Sequence, residues 1–296
     1  MISLSEAEAV DAGLTSVEEG DESRAFLALD SLNRIAAGFL EENEVADAER
    51  VIHGIEKIAV AAAGAEMELL AINSTLIFGE LTKVASEKGF ESVAKKSVLA
   101  IGIIGKKAAE HGLEAGSKVA VTTLMELWKN PVFRRERDKT ITMSLLLKEI
   151  GVVSARKGRE EAVVNASIFL GEIGRQVVQE SLESETLSTL ILLEEIGNEA
   201  SETYLDEGLS KAALSVEEIG KLSIKKNLEP AILQSQWTLE AFRAQAGEKV
   251  LTNSDIVTEV ALETFKPFKG LDSNENIDKI REVKELHEKL ASELKA

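Results

Sequence analysis

Any chemistry in this chain must come from histidines, carboxylates, hydroxyls or lysines, because its 296 residues include no cysteine. Disulfides, thiol nucleophiles and Cys-based metal sites are thereby excluded. The three histidines, His53, His111 and His287, lie far apart and share no ligand spacing. His53 has Glu49 one helical turn away, the spacing of an ordinary surface contact. No serine sits in a G-x-S-x-G elbow. Gly102-x-x-Gly105-Lys106-Lys107 lacks both the Walker spacing and the Ser or Thr after the lysine. The segment Asp272-Ser-Asn274-Glu-Asn276-Ile-Asp278 places oxygen ligands at alternate positions, as a calcium loop does. Its sixth position is Ile277, where the loop needs glycine, and its twelfth is Val283, where a bidentate glutamate is needed. Helix capping by Asp272 and Ser273 explains that segment better. The pairs Glu194-Glu195 and Glu217-Glu218 are of the right type for acid–base work, but each pair is adjacent in sequence and recurs with the repeat described below. They read as a solvated helix face. The expectation is therefore no catalytic residue, no cofactor and no metal.

What remains is recognition by charge and by apolar surface. The chain carries 34 Lys+Arg against 52 Asp+Glu, a net charge of −18, which argues against a binder of nucleic-acid backbones. The charge is uneven. Residues 83–139 hold twelve basic and seven acidic residues, whereas residues 180–220 hold eleven acids and one base, Lys211. The positive band ends in Trp128, Phe133, Arg134, Arg135 and Arg137, an aromatic and arginine composition typical of interface hot spots. These five residues, with Glu194, Glu195, Glu217 and Glu218 in the acidic stretch, are the candidate interaction residues.

The elements that must position them follow from a repeat. The phrases Leu147-Lys-Glu-Ile150-Gly151, Leu170-Gly-Glu-Ile173-Gly174, Leu193-Glu-Glu-Ile196-Gly197 and Val216-Glu-Glu-Ile219-Gly220 recur every 23 residues. The same frame extends without an insertion from Ile35 through Ile58, Leu81, Ile104 and Leu127 to Phe242 and Phe265, with a second apolar residue three positions before each. Seven residues after the glycine position come Gly20, Asn43, Gly89, Gly112, Gly158, Ser181 and Asn227, several of which tolerate the left-handed conformation that ends a helix. An acid follows two positions later in most copies, as at Glu22, Glu91, Glu114, Glu160, Glu183, Asp206 and Glu229, where it complements the positive end of a new helix. Each unit thus predicts one helix of roughly 18 residues and a turn of about four or five. Short turns make neighbouring helices antiparallel, and helices joined identically stack rather than enclose one centre. Aromatics at 4% and three prolines agree with a helical core of Ala, Leu, Ile and Val.

Two units make a helix pair of 46 residues, and in this respect the chain resembles the α-solenoids of the HEAT and armadillo type from about residue 13 to 266. The Pro-Asp-Val/Arg signatures of typical HEAT repeats are absent. The resemblance is one of period and helix-turn-helix pattern. It implies an all-α, right-handed α-solenoid and a protein-interaction scaffold. The expected layout is a solenoid with an N-terminal cap over residues 1–268 and a capping or oligomerising helix over 269–296. That last helix carries Ile277, Ile280, Val283, Leu286, Leu290 and Leu294 in a narrow stripe.

No basic and apolar leader opens the chain, and its longest apolar run, Ile58 to Ala65, stops at Glu66, so a cytoplasmic protein without direct membrane insertion is expected. The expected function is a non-enzymatic scaffold that binds a protein with a basic surface through the solenoid groove or its charged faces, with no nucleic acid involved. Two other readings stay open: a regulatory or soluble domain of a larger assembly, whether membrane-associated or not, and an enzyme or cofactor binder whose groove site matches no motif.

Overall fold

The computed structural model describes residues 5–130, 137–249, 271 and 273–293. The chain is all-α over these residues, and it divides into two compact units, Met1–Lys139 and Thr140–Ala296. The first contains α1 (Glu6–Glu18), α2 (Glu22–Glu42), α3 (Val45–Gly64), α4 (Glu68–Lys88), α5 (Glu91–Glu110) and α6 (Glu114–Lys129). The second contains α7 (Arg137–Arg156), which begins three residues before it, then α8 (Glu160–Gln179), α9 (Glu183–Glu202), α10 (Asp206–Lys226), α11 (Glu229–Lys249) and α12 (Asn274–Glu293). Within each unit a helix packs on the next one and on the one after that, as in the α3 contacts with α4 and α5. That pattern is two layers of antiparallel helices, the architecture of a helical repeat array.

The repeat helices after α1 run mostly to 20 or 21 residues, longer than the spacing predicts, because the turns are tighter. Left-handed residues recur every 23 positions: Gly20, Asn43, Glu66, Gly89, Gly112, Gly158, Ser181, Tyr204 and Asn227, with φ between 56° and 76°. The seven residues expected there all adopt this conformation, and Glu66 and Tyr204 join them although neither side chain favours it. One turn shows how the chain reverses so quickly. The Leu113 N–H donates to the Ala108 carbonyl at 2.8 Å and the Gly112 N–H to that of Ala109 at 3.0 Å. This closes α5 in a Schellman motif. Leu113 is at once the residue that closes this motif and the N-cap of α6. It is apolar and makes no side-chain cap bond, so the acid at the first helical position supplies the favourable interaction with the helix start.

Glu66 is exposed and holds φ 61°. A left-handed conformation costs an L-residue ~1–2 kcal/mol, part of which glycine recovers before its greater unfolded-state entropy is counted. Glu66→Gly is expected to raise the stability of the first unit by roughly 0.5–1 kcal/mol, read as a higher melting temperature. An unchanged or lower melting temperature would show that the turn is not strained.

The glycine of the repeated phrase has a specific partner. A Cβ on Gly151 would lie 2.9 Å from Ile196 Cδ1, one on Gly174 would collide with Ile219, and one on Gly197 would collide with the ring of Phe242. Gly13 stands in the same relation to Ile58 in the first unit. The aliphatic residue of one phrase therefore seats on the glycine of the phrase two helices earlier, within the same layer. The close approach that these glycines allow is thus between alternate helices and not between neighbours in sequence. Ion pairs follow the same rule: Arg156 of α7 with Glu199 of α9 at 2.8 Å, and Arg50 of α3 with Glu6 of α1 at 2.8 Å.

Candidate functional site

The candidate interaction residues do not converge. Trp128, the residue before the last of α6, is only 6% exposed. Arg137 is the first residue of α7. Phe133, Arg134 and Arg135 lie outside the described residues. Glu194 and Glu195 stand on α9, Glu217 and Glu218 on α10, so the two pairs belong to different layers of the second unit. Each carboxylate also has a partner within that unit. Glu194 accepts from Gln234 Nε2 at 2.8 Å, and Glu195 meets Lys148 at 3.0 Å. Glu217 pairs with Lys221, and Glu218 with Arg175. Net charge counted along the chain misses this pairing, because the partners sit about two repeats away or one turn along the same helix. His53 meets Glu56 at 3.3 Å, while Glu49 is taken by Lys96 of α5.

A cluster that sequence reading missed lies around the last helix. α12 packs against both α9 and α11. Its buried seam is Asn276, Ile280, Val283 and His287, whereas Leu286 is 43% exposed. The seam is rotated from the aliphatic stripe that spacing alone selects, since two of its four members are polar. Ser273 caps the helix by accepting from the Asn276 N–H at 3.2 Å, as expected. Lys279 reaches Glu183 at 3.2 Å and Lys284 reaches Glu194 at 3.6 Å, so lysines flank the seam on the acids of α9. The covered helix shows the consequence: Glu185 to Leu193, nine consecutive residues of α9, are all buried.

His287 Nε2 lies 2.6 Å from Ser188 Oγ, and its Nδ1 is buried without a hydrogen-bond partner. First burial, then the Lys148 ammonium, push the imidazole pKa down to about 4. Burial also opposes the charge of Lys148, but Glu149 at 2.8 Å and Glu195 outweigh it and raise the lysine pKa. Lys148, Glu194, Glu195 and His287 line a cleft of about 430 Å³ with Ile191 and Lys284. A serine against a histidine has the outward form of a nucleophile and base. Here the pair closes a helix–helix seam, with Ser188 buried and outside the cleft wall. Among the described residues no group of three His, Asp or Glu could hold a metal ion.

The first unit presents the opposite condition. Phe26 and Leu27 on α2 are 44% and 64% exposed, and Leu69 and Leu76 on α4 are 62% and 50% exposed. Between the two helices runs an open groove of about 240 Å³, lined by Phe26, Leu29, Leu76 and Ile77, with Asp30 and Glu80 among its polar residues. In the 23-residue frame Asn33, Leu76 and Glu80 of this groove occupy the positions of Lys148, Ile191 and Glu195 in the cleft beside α12. In the second unit α12 flanks that cleft from its seat on α9 and α11, whereas in the first unit Phe26 and Leu76 are exposed at the groove.

No protein-family model and no curated protein matches the chain. Among solved structures it is similar to a circular tandem repeat protein with novel repeat topology and enhanced subunit contact surfaces, at 14% identity and a TM-score of 0.36, over 95% of this chain and 82% of that one. The class assigned here, an all-α helical repeat protein, rests on the helices and their packing described above. Among the described residues no helix is long and apolar enough to cross a membrane.

Proposed function

We propose that the protein is a non-enzymatic scaffold that binds another protein, and that the groove between α2 and α4 is where the partner docks. The observation that carries this reading is the pair of large apolar side chains left exposed in that groove, Phe26 and Leu76, above the apolar floor of Leu29 and Ile77. Clustered exposed apolar surface of this kind marks interaction sites in folded proteins. Charge supports a basic partner. Residues 1–80, which build α1 to α3 and most of α4, carry seventeen acids and four bases. Opposed charge of this size steers encounter and selects among partners. The 180–220 stretch is a weaker candidate for this role, because its four named glutamates are already engaged.

Leu76→Glu tests the reading. Half of this side chain is in solvent, so the substitution is expected to change the melting temperature little. It is expected to remove the proteins that co-purify with the wild-type chain from its native cell, because a charge is then desolvated on binding. Co-purification that is the same for both chains would overturn the proposal.

A further inference from the structure

The last helix shows what an outward face of this array accepts. α12 lies along α9 and α11 with its N-terminal end at theirs, Asn276 at Glu229 and Lys279 at Glu183. It buries one narrow seam, spaced i, i+4, i+7, i+11, and sets a lysine on either side against acids of the face. Nothing in that geometry depends on α12 belonging to the same chain. The positions it and its cleft use on α9, Ser188, Ile191 and Glu195, correspond in the repeat frame to Asn73, Leu76 and Glu80 on α4. Those three line the open groove of the first unit, whose second wall is α2, where α12 uses α11 as its second wall. The groove is more apolar than the cleft beside α12, with Phe26, Leu29, Leu76 and Ile77 around Asn73.

We infer that the α2–α4 groove takes an amphipathic α-helix from a partner protein, with an aliphatic seam of i, i+4, i+7 spacing flanked by lysine or arginine. The inference rests on the scaffold reading above and specifies the partner's chemistry. A helix laid in a groove by a few periodic apolar anchors is a recurring mode of peptide recognition. Two features select this occupant over an extended segment. The groove is bounded by two helices of one layer, and within the described residues of this fold there is no strand edge to pair with. The basic flanks follow from Asp30 and Glu80 at the groove and from the acidity of residues 1–80. Both carboxylates have an intrahelical neighbour, Arg34 and Lys83, but these pairs are exposed and exchange readily.

The test uses the full chain and a labelled synthetic peptide of residues 274–293 carrying Asn276→Leu and His287→Leu, which gives the helix an all-aliphatic seam with its own lysines. The peptide is expected to bind by fluorescence anisotropy, to weaken as salt rises, and to lose at least tenfold in affinity with Leu76→Glu. A second copy of the peptide with its lysines changed to glutamate is expected to bind at least tenfold more weakly. Three results would overturn the inference: no binding, equal binding to the Leu76→Glu chain, or a concentration-dependent self-association of the chain that Leu76→Glu abolishes, which would make a second copy the occupant. If the peptide fails while Leu76→Glu still strips the native partner, the helical occupant falls and the scaffold reading stands. If Leu76→Glu leaves the native partner bound, the scaffold reading itself falls.

Discussion

Phe242→Ala is expected to destabilise the second unit by ~3–5 kcal/mol, the cost of emptying a fully buried aromatic site. The ring of Phe242 rests on the backbone of Gly197, so the space it vacates lies between α9 and α11. Hydrogen exchange is the informative measurement. Protection should fall most in α9, α10 and α11, fall less in α8, and change least around Ile58 in the first unit, because each repeat leans mainly on its neighbours. Equal loss at Ile58 would mean that the chain unfolds as one globular core. Gly197→Ala supplies the complementary half of the experiment. Alone it drives a methyl into the ring, whereas in the Phe242→Ala chain the methyl has room. The double variant should therefore be less destabilised than the sum of the two by at least ~1 kcal/mol. Additive losses would show that ring and glycine do not touch in solution.

Acidification should release α12 before it unfolds anything else. His287 is neutral in its seam, with a pKa near 4 against an ordinary 6.5. A base whose pKa is depressed by docking contributes its full stabilisation above the free value, and that contribution shrinks as pH falls from about 6.5 towards 4. At pH 5 the docked helix should be disfavoured by about twentyfold relative to pH 7, or ~2 kcal/mol. The charged groups facing the imidazole are Lys148 from α7, Glu194 and Glu195 from α9, and Lys284 and Glu288 from α12 itself. Lys148, whose pKa is raised, remains charged throughout this window. Exchange protection of α12 should thus be lost between pH 6.5 and 5 while α8 to α10 stay protected. His287→Gln, which keeps a hydrogen-bonding side chain but cannot titrate, should flatten the profile. Protection of α12 that is constant from pH 7 to 5, or that falls equally in the Gln variant, would sink the account.

Much of the architecture is legible in the chain because a repeat states each rule many times. The phrases ending at Gly151, Gly174 and Gly197 fix the helix period, and the acids from Glu22 to Glu229 mark the helix starts. Glu66 and Tyr204 escape notice because their residue types argue against the conformation that the fold imposes on them. The candidate site is less legible for a different reason. Glu194, Glu195, Glu217 and Glu218 look free when counted along the chain, and their partners on other helices appear only once the layers are assembled. Trp128 looks like a surface anchor beside arginines, yet it is buried. The seam of α12 was hidden by its own composition, since Asn276 and His287 do not announce a buried face.

The seating of an aliphatic or aromatic residue on a glycine two helices back, seen at Gly13, Gly151, Gly174 and Gly197, bears on how such a gene can change length. Duplication of the unit at Gly174 or Gly197 leaves a glycine two helices before each phrase that follows. It does, however, move every later helix of that stack to the opposite layer, and with it each outward groove. Unequal recombination in steps of 46 residues preserves the docking map, while a step of 23 rewrites it without unfolding the protein. Selection for binding, and not for folding, would then keep repeats of this kind in pairs.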